Sequence, residues 1–164
     1  MEFESSISCP INLNSSLTPG QQNLYHNPET IRKILNNTRT IAVVGLSAEP
    51  HKASNFVATY MRSAGYKIIP VNPGADTILG EQAYPNLSSI PEHIDLVDIF
   101  RPSADCLNII KEAITCKASA VWLQLKIINL EAAELAQQAG LLTVMDRCLE
   151  IEHKLYNDVL LKRA

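Results

Sequence analysis

The residues best suited to chemistry sit together in Gly45-Leu46-Ser47-Ala48-Glu49-Pro50-His51-Lys52-Ala53-Ser54-Asn55, directly after the apolar run Ile41 to Val44. Their types suit the non-covalent capture of an anion. Gly45 lets the backbone turn tightly, Ser47, Ser54 and Asn55 add hydrogen-bond donors, and Lys52 adds a full positive charge. A helix starting here would offer unpaired N–H groups and a partial positive charge. The usual dinucleotide fingerprint would place further glycines at 47 and 50, where this chain has Ser47 and Pro50. The same stretch reads equally well as a plain turn, with Ser54 as a helix N-cap and Lys52 as a solvated charge.

Other polar residues follow other apolar runs. After "KIIPV" comes Val71-Asn72-Pro73-Gly74, and Asn72 stands where an NAD site would carry an acid for the ribose hydroxyl. "DLVDIF" leads into Phe100-Arg101-Pro102, where Arg101 could pair with a phosphate or stack on a purine, or else reach solvent above a core Phe100. "AVWLQL" places Trp122 and Gln124 on one face of a strand, Trp122 as core or ligand platform and Gln124 as a polar side chain that wants a partner. "LTVM" leads into Asp146-Arg147-Cys148, read as an ion pair capping the last helix with Asp146 as its N-cap. Cys148 opens that helix, where the dipole favours thiolate. It reads either as a thiol more reactive than a buried one or, in preference, as a small packed apolar residue.

These residues need a scaffold that brings strand ends together. Residues 1–26, rich in Ser, Asn, Pro and Gln, read as an extended or mobile N-terminal arm, and 27–164 as one domain. Asn27, Pro28 and Glu29 open a short amphipathic helix with Ile31, Ile34 and Leu35 on one face. Thereafter short apolar strands alternate with helical patterns: strand 41–44, helix 55–64 ending on Gly65, strand "KIIPV", a long irregular connection, strand 96–100, helix "SADCLNIIKEAITC", strand "AVWLQL", helix "NLEAAELAQQAG", strand "LTVM" and a last helix over 148–162. This order predicts an α/β, Rossmann-like, doubly wound and mainly parallel sheet with helices on both faces. In such sheets ligands bind beyond the carboxyl ends of the strands, where strand order reverses.

Composition narrows the function. With 14 basic and 17 acidic residues in 164, the net charge of −3 gives no field for a polyanion, so nucleic acid is not expected as a partner. No apolar run is long enough to span a bilayer, and a soluble, cytoplasmic protein is expected. Cys9, Cys106, Cys116 and Cys148 are scattered without metal-ligand spacing and read as free thiols, so no metal site is expected. His26, His51, His93 and His153 read as surface or loop residues. No catalytic constellation is visible: Glu49 breaks any G-x-S-x-G elbow, and no carboxylate pair is set up for acid–base work.

In the order Gly45 loop, "GYKIIPVNPG", "ILGEQAYPNL", "IPEHIDLVDIFRP", "AVWLQ" and "VMDRC", the chain over about 30–160 resembles the small stand-alone CoA-binding domain proteins, similar to the N-terminal domain of the succinyl-CoA synthetase α subunit. The resemblance implies CoA or acyl-CoA as ligand. Its diphosphate would lie on the first loop and helix at Gly45, Leu46, Ser47, Lys52, Ala53 and Ser54, and its adenosine against Val71, Asn72, Pro73, Phe100 and Arg101. Trp122 and Gln124 complete the expected site at the sheet edge. The synthetase's phosphorylatable histidine belongs to a further domain that a chain of this length does not hold, so a non-catalytic carrier, sensor or partner of an acyl-transferring enzyme is expected, alone or as a homo-oligomer. An NAD(P)-binding oxidoreductase-like domain, or an interaction module that has lost its ligand, are the alternatives.

Overall fold

The computed structural model describes residues 14–160. In chain order the elements are α1 (Pro19–Tyr25), α2 (Pro28–Asn37), β1 (Thr40–Val44), α3 (Ala53–Ser63), β2 (Lys67–Val71), β3 (Thr77–Ile78), β4 (Glu81–Gln82), β5 (Leu96–Ile99), α4 (Cys106–Thr115), β6 (Ala120–Leu123), α5 (Leu130–Gln138), β7 (Leu142–Met145) and α6 (Leu149–Tyr156). Short 3₁₀ turns lie at Leu87–Ser89, Ser103–Asp105 and Asn157–Val159.

Strands β1, β5 and β6 are buried along their whole lengths because both faces of the sheet are covered, which is why they read as mainly apolar runs, broken in β5 only by Asp98. The sheet runs β2-β1-β5-β6-β7, every neighbouring pair parallel. Side chains alternate across it. Ala42, Val44, Val97, Ile99, Val121, Leu123 and Met145 pack with α1, α4 and α5. Ile41, Val43, Leu96, Trp122 and Val144 pack with α2, α3 and α6 on the other face. From β1 the chain passes to β2 on one side and returns to β5 on the other, so strand order reverses between β1 and β5. The expected Rossmann-like α/β class is the observed one.

Local signals set the helix ends. Asn27 accepts from the N–H groups of Glu29 and Thr30 at 3.0 and 3.2 Å, and Pro28 occupies the first helical position. Gly65 takes φ +102°, closing α3 with a bond from Tyr66 N to the Met61 carbonyl.

The arm expected over 1–26 is corrected where the structure describes it. Thr18 and Gln21 form a reciprocal capping box that starts α1. Leu17 and Tyr25 are buried against the sheet. Ser15 donates to Asp146 at 2.6 Å, and His26 Nε2 meets the Met145 carbonyl at 2.7 Å. Polar composition hid a segment that is anchored by a few contacts to the carboxyl ends of β6 and β7. Residues 1–13, including Cys9, lie outside the described residues.

Two further boundaries move. The connection after β2 is not wholly irregular: β3 and β4 form a small antiparallel hairpin, too short to show a period in sequence. The last helix ends at Tyr156 and gives way to a 3₁₀ turn, while the end expected at 162 lies outside the described residues.

Candidate functional site

Gly45 follows β1 at the point of strand reversal. Its N–H donates to the Val71 carbonyl at the end of β2 (3.0 Å), and Phe100 N–H, after β5, donates to the Val44 carbonyl (2.9 Å). The glycine is required twice over. Its φ is +87°, and a Cβ there would stand 2.8 Å from the Phe100 carbonyl oxygen and 3.1 Å from Arg101 Cδ. Three strand ends therefore meet around one residue without a side chain. Beside it opens a cleft of about 520 Å³.

One wall of the cleft is Gly45, Ser47, Val71, Asn72 and Pro73; the other is Arg101 with Asp105, Asn108, Ile109 and Glu112 of the α4 region; Pro85, Asn86 and Leu87 close its end. Of the expected site residues, Gly45, Ser47, Val71, Asn72, Pro73 and Arg101 are thus brought together. Asp105, Asn108 and Glu112 escaped the sequence reading. They sit three, six and ten residues after "IFRP", and the spacing that puts 105, 108 and 112 on one helical face was the available signal.

The loop after Gly45 holds itself together with the side chains expected to face an anion. Ser54 Oγ accepts from Ser47 N–H (3.0 Å), Asn55 Nδ2 donates to the Ser47 carbonyl (2.8 Å), and Ser47 Oγ accepts from Glu49 N–H (3.1 Å). Ser54 and Asn55 are accordingly buried, and the N-cap position of α3 falls on Lys52, whose side chain makes no cap bond. Asn72 completes the brace, its Nδ2 donating to the Leu46 carbonyl (3.0 Å) and its Oδ1 accepting from Gly74 N–H (2.8 Å). The loop after Gly45 is thus a backbone shape fixed by its own polar side chains, rather than a ring of side chains aimed into the cleft.

Arg101 is the only lysine or arginine lining the cleft among the described residues. Its Nη2 donates to Asp105 Oδ2 at 2.8 Å, both side chains about half exposed. Glu112, on the same wall, accepts from Ser88 N–H at 3.0 Å and so ties α4 to the 3₁₀ turn at the cleft's end.

Several expected site residues lie elsewhere. Leu46 and Trp122 are fully buried in the core, and the Trp122 indole donates to the Arg147 carbonyl (2.8 Å). Phe100 packs against the α2, α3 and α6 face and touches the site through its carbonyl. Lys52 and Ala53 are exposed at the start of α3, outside the walls of the cleft. Gln124 is buried and has its partner: Nε2 donates to Asp98 Oδ1 (2.6 Å), while Oε1 accepts from Leu149 N–H (3.3 Å) at the start of α6. Alternation put Trp122 and Gln124 on one face correctly, but that face is interior.

Asp98 is the polar residue that the apolar strand concealed. Burial pushes its carboxyl up to about 7, opposed only partly by the Gln124 and Ile99 hydrogen bonds. The last strand's cluster also differs from the expected ion pair. Asp146 is buried at φ +60°, accepting from Ser15 Oγ and, at 2.6 Å, from Lys126 N–H, while Arg147 instead faces Glu152 at 3.7 Å. The N-cap position of α6 is Cys148, which is buried, and burial pushes its thiol up despite backbone hydrogen bonds from Glu150 and Ile151. Of the histidines, His153 is not a surface residue but lies buried beside Tyr60, whose hydroxyl is 2.9 Å from its Nδ1. Among the described residues no group of three or more His, Cys, Asp and Glu is placed to hold a metal ion, and no helix is long and apolar enough to cross a membrane.

Strand order and helix placement define a Rossmann-like α/β domain with its cleft at the switch point. Residues 39–154 match the CoA binding domain family, and the chain belongs to that family. It is similar to the uncharacterized protein YneT of Bacillus subtilis, 38% identical over 123 residues that make up 75% of this chain and 91% of that protein. Among solved structures, a hypothetical protein from Pyrococcus horikoshii OT3 superposes with a TM-score of 0.76 at 37% identity, covering 79% of this chain and 91% of that one. The dinucleotide forming acetyl-coenzyme A synthetase 1 of Ca. Korarchaeum cryptofilum superposes with a TM-score of 0.58 at 27% identity, over 66% of this chain and 26% of its own.

Proposed function

We propose that this protein binds CoA or an acyl-CoA in the cleft at the carboxyl ends of β1 and β5, without transforming it. The observation that carries this reading is Gly45 pressed against the Phe100 carbonyl, which leaves the loop backbone open to a phosphate beside Arg101, in a chain of the CoA binding domain family. The diphosphate lies against Gly45, Ser47 and Arg101, with the exposed Lys52 at the loop's outer side. The adenosine lies between Val71, Asn72 and Pro73 and the wall formed by α4. In this reading the carried thioester passes to or from an acyl-transferring enzyme, with a second copy as the alternative partner. The free thiols of Cys106, Cys116 and Cys148 suit a reducing cytoplasm.

The NAD(P) alternative is the weaker one on a specific observation. Asn72 replaces the acid that would accept from a ribose hydroxyl, and its Oδ1 is already committed to Gly74.

Thermal unfolding with CoA, acetyl-CoA, NAD and NADP separates the readings. CoA at a hundred times its dissociation constant should add about 2.7 kcal/mol of stability, with no comparable gain from NAD or NADP. No shift at millimolar CoA and acetyl-CoA overturns the proposal. Recovery of acetyl-CoA unchanged after prolonged incubation checks that no chemistry accompanies binding.

A further inference from the structure

We infer that Asp105 is a competing anion that holds Arg101 and yields it to a phosphate, so that the pair screens ligands by their anionic group. The inference rests on the reading of this cleft as a phosphate-ligand site and names a residue that regulates it. Arg101 lies with its stem against Gly45 and its guanidinium on Asp105, turned along the α4 wall. Asp105 ends the 3₁₀ turn that runs into α4 and is itself helical (φ −86°, ψ −13°), so its side chain makes no cap bond and its carboxylate turns to Arg101.

An exposed pair of this kind is weak enough to exchange. A phosphate offers the guanidinium a denser charge and a bidentate fit. A ligand carboxylate only replaces one carboxylate by another and gains nothing from the exchange. Glu112 on the same wall plays no such part, because its carboxylate is engaged by Ser88 N–H.

The test is calorimetric titration with CoA and with inorganic pyrophosphate at fixed low ionic strength, on the wild-type protein, Asp105→Asn, Arg101→Ala and the double variant. Asparagine keeps the shape of the side chain and removes the competing charge, so Asp105→Asn should bind both anions about two- to fivefold more tightly, the span of an exposed ion pair. That gain should disappear in the Arg101→Ala background. Weaker or unchanged binding by Asp105→Asn overturns the inference, as does an equal gain with and without Arg101, which would assign the effect to simple repulsion. If pyrophosphate binds and CoA does not, the CoA reading falls while the pyrophosphate comparison still decides the role of Asp105. If no variant binds either anion, both fall.

Discussion

A single hydrogen bond from Asn72 Nδ2 to the Leu46 carbonyl, 3.0 Å long, ties the turn after β2 to the loop after β1. Because Asn72 also accepts from Gly74 N–H through Oδ1, the position demands a donor and an acceptor on one short side chain. A carboxylate supplies only acceptors. The amide that looked like a missing nucleotide contact is thus explained by architecture, and Asn72→Asp should destabilise the protein by about 1 to 3 kcal/mol at neutral pH, by setting two acceptors against each other. Thermal unfolding measures this, and the same variant should gain no affinity for NAD. A stability equal to wild type would show that the bond is dispensable.

Arg101 lines the cleft, whereas Lys52 stands exposed at the start of α3. Arg101→Ala should therefore weaken CoA binding by roughly 1 to 3 kcal/mol, as expected for one charge-assisted contact. Lys52→Ala should cost less and depend more steeply on salt. Titration calorimetry at two ionic strengths compares them, and the reverse ranking would move the diphosphate toward α3.

The Asp98 carboxyl titrates near 7 in the folded protein against an ordinary value of 3.8. Between these values the folded state holds a proton that the unfolded chain has lost, so this group's effect is fully favourable below pH 4 and declines as pH rises toward 7, levelling above it. Relative to wild type, Asp98→Asn should gain stability progressively across that window, on the order of a few kcal/mol in all. His26 and Glu152 titrate in both proteins, so the difference between their urea unfolding curves at pH 4.5 and 8 isolates Asp98. A difference independent of pH would contradict the assignment.

Tyr25 is buried in the core on the α1, α4 and α5 face. Tyr25→Ala should cost about 3 kcal/mol or more, the cost of emptying a buried aromatic site. A melting temperature unchanged from wild type would restore residues 14–26 to the status of a loose arm.

What was legible in the sequence was whatever repeats. The alternation of apolar strands and helical patterns gave the sheet, and Asn27-Pro28 and Gly65 gave helix ends, because a cap is a local event. The site was half legible. A glycine after a buried strand locates the switch point, but the partners of Ser54, Asn55 and Gln124 are set by tertiary contact: Ser54 and Asn55 turned inward to brace the loop, and Gln124 met Asp98 from the neighbouring strand. Asp98 itself was masked by its apolar neighbours. Asp105 and Glu112 were readable only as solvated helix charges until the fold placed α4 beside the cleft.

The segment that closes the end of the cleft also finishes the sheet. β2 is an outer strand, and Pro70 within it has no N–H to offer. Tyr84, just before Pro85, donates to the Pro70 carbonyl and accepts from Asn72 N–H, so the outward-facing groups at the carboxyl end of β2 already have partners. A second molecule finds no free template there on which to lay a strand. Loosening 84–87 to widen the cleft would thus also expose a sticky margin, and solubility at high concentration would fall together with ligand selectivity.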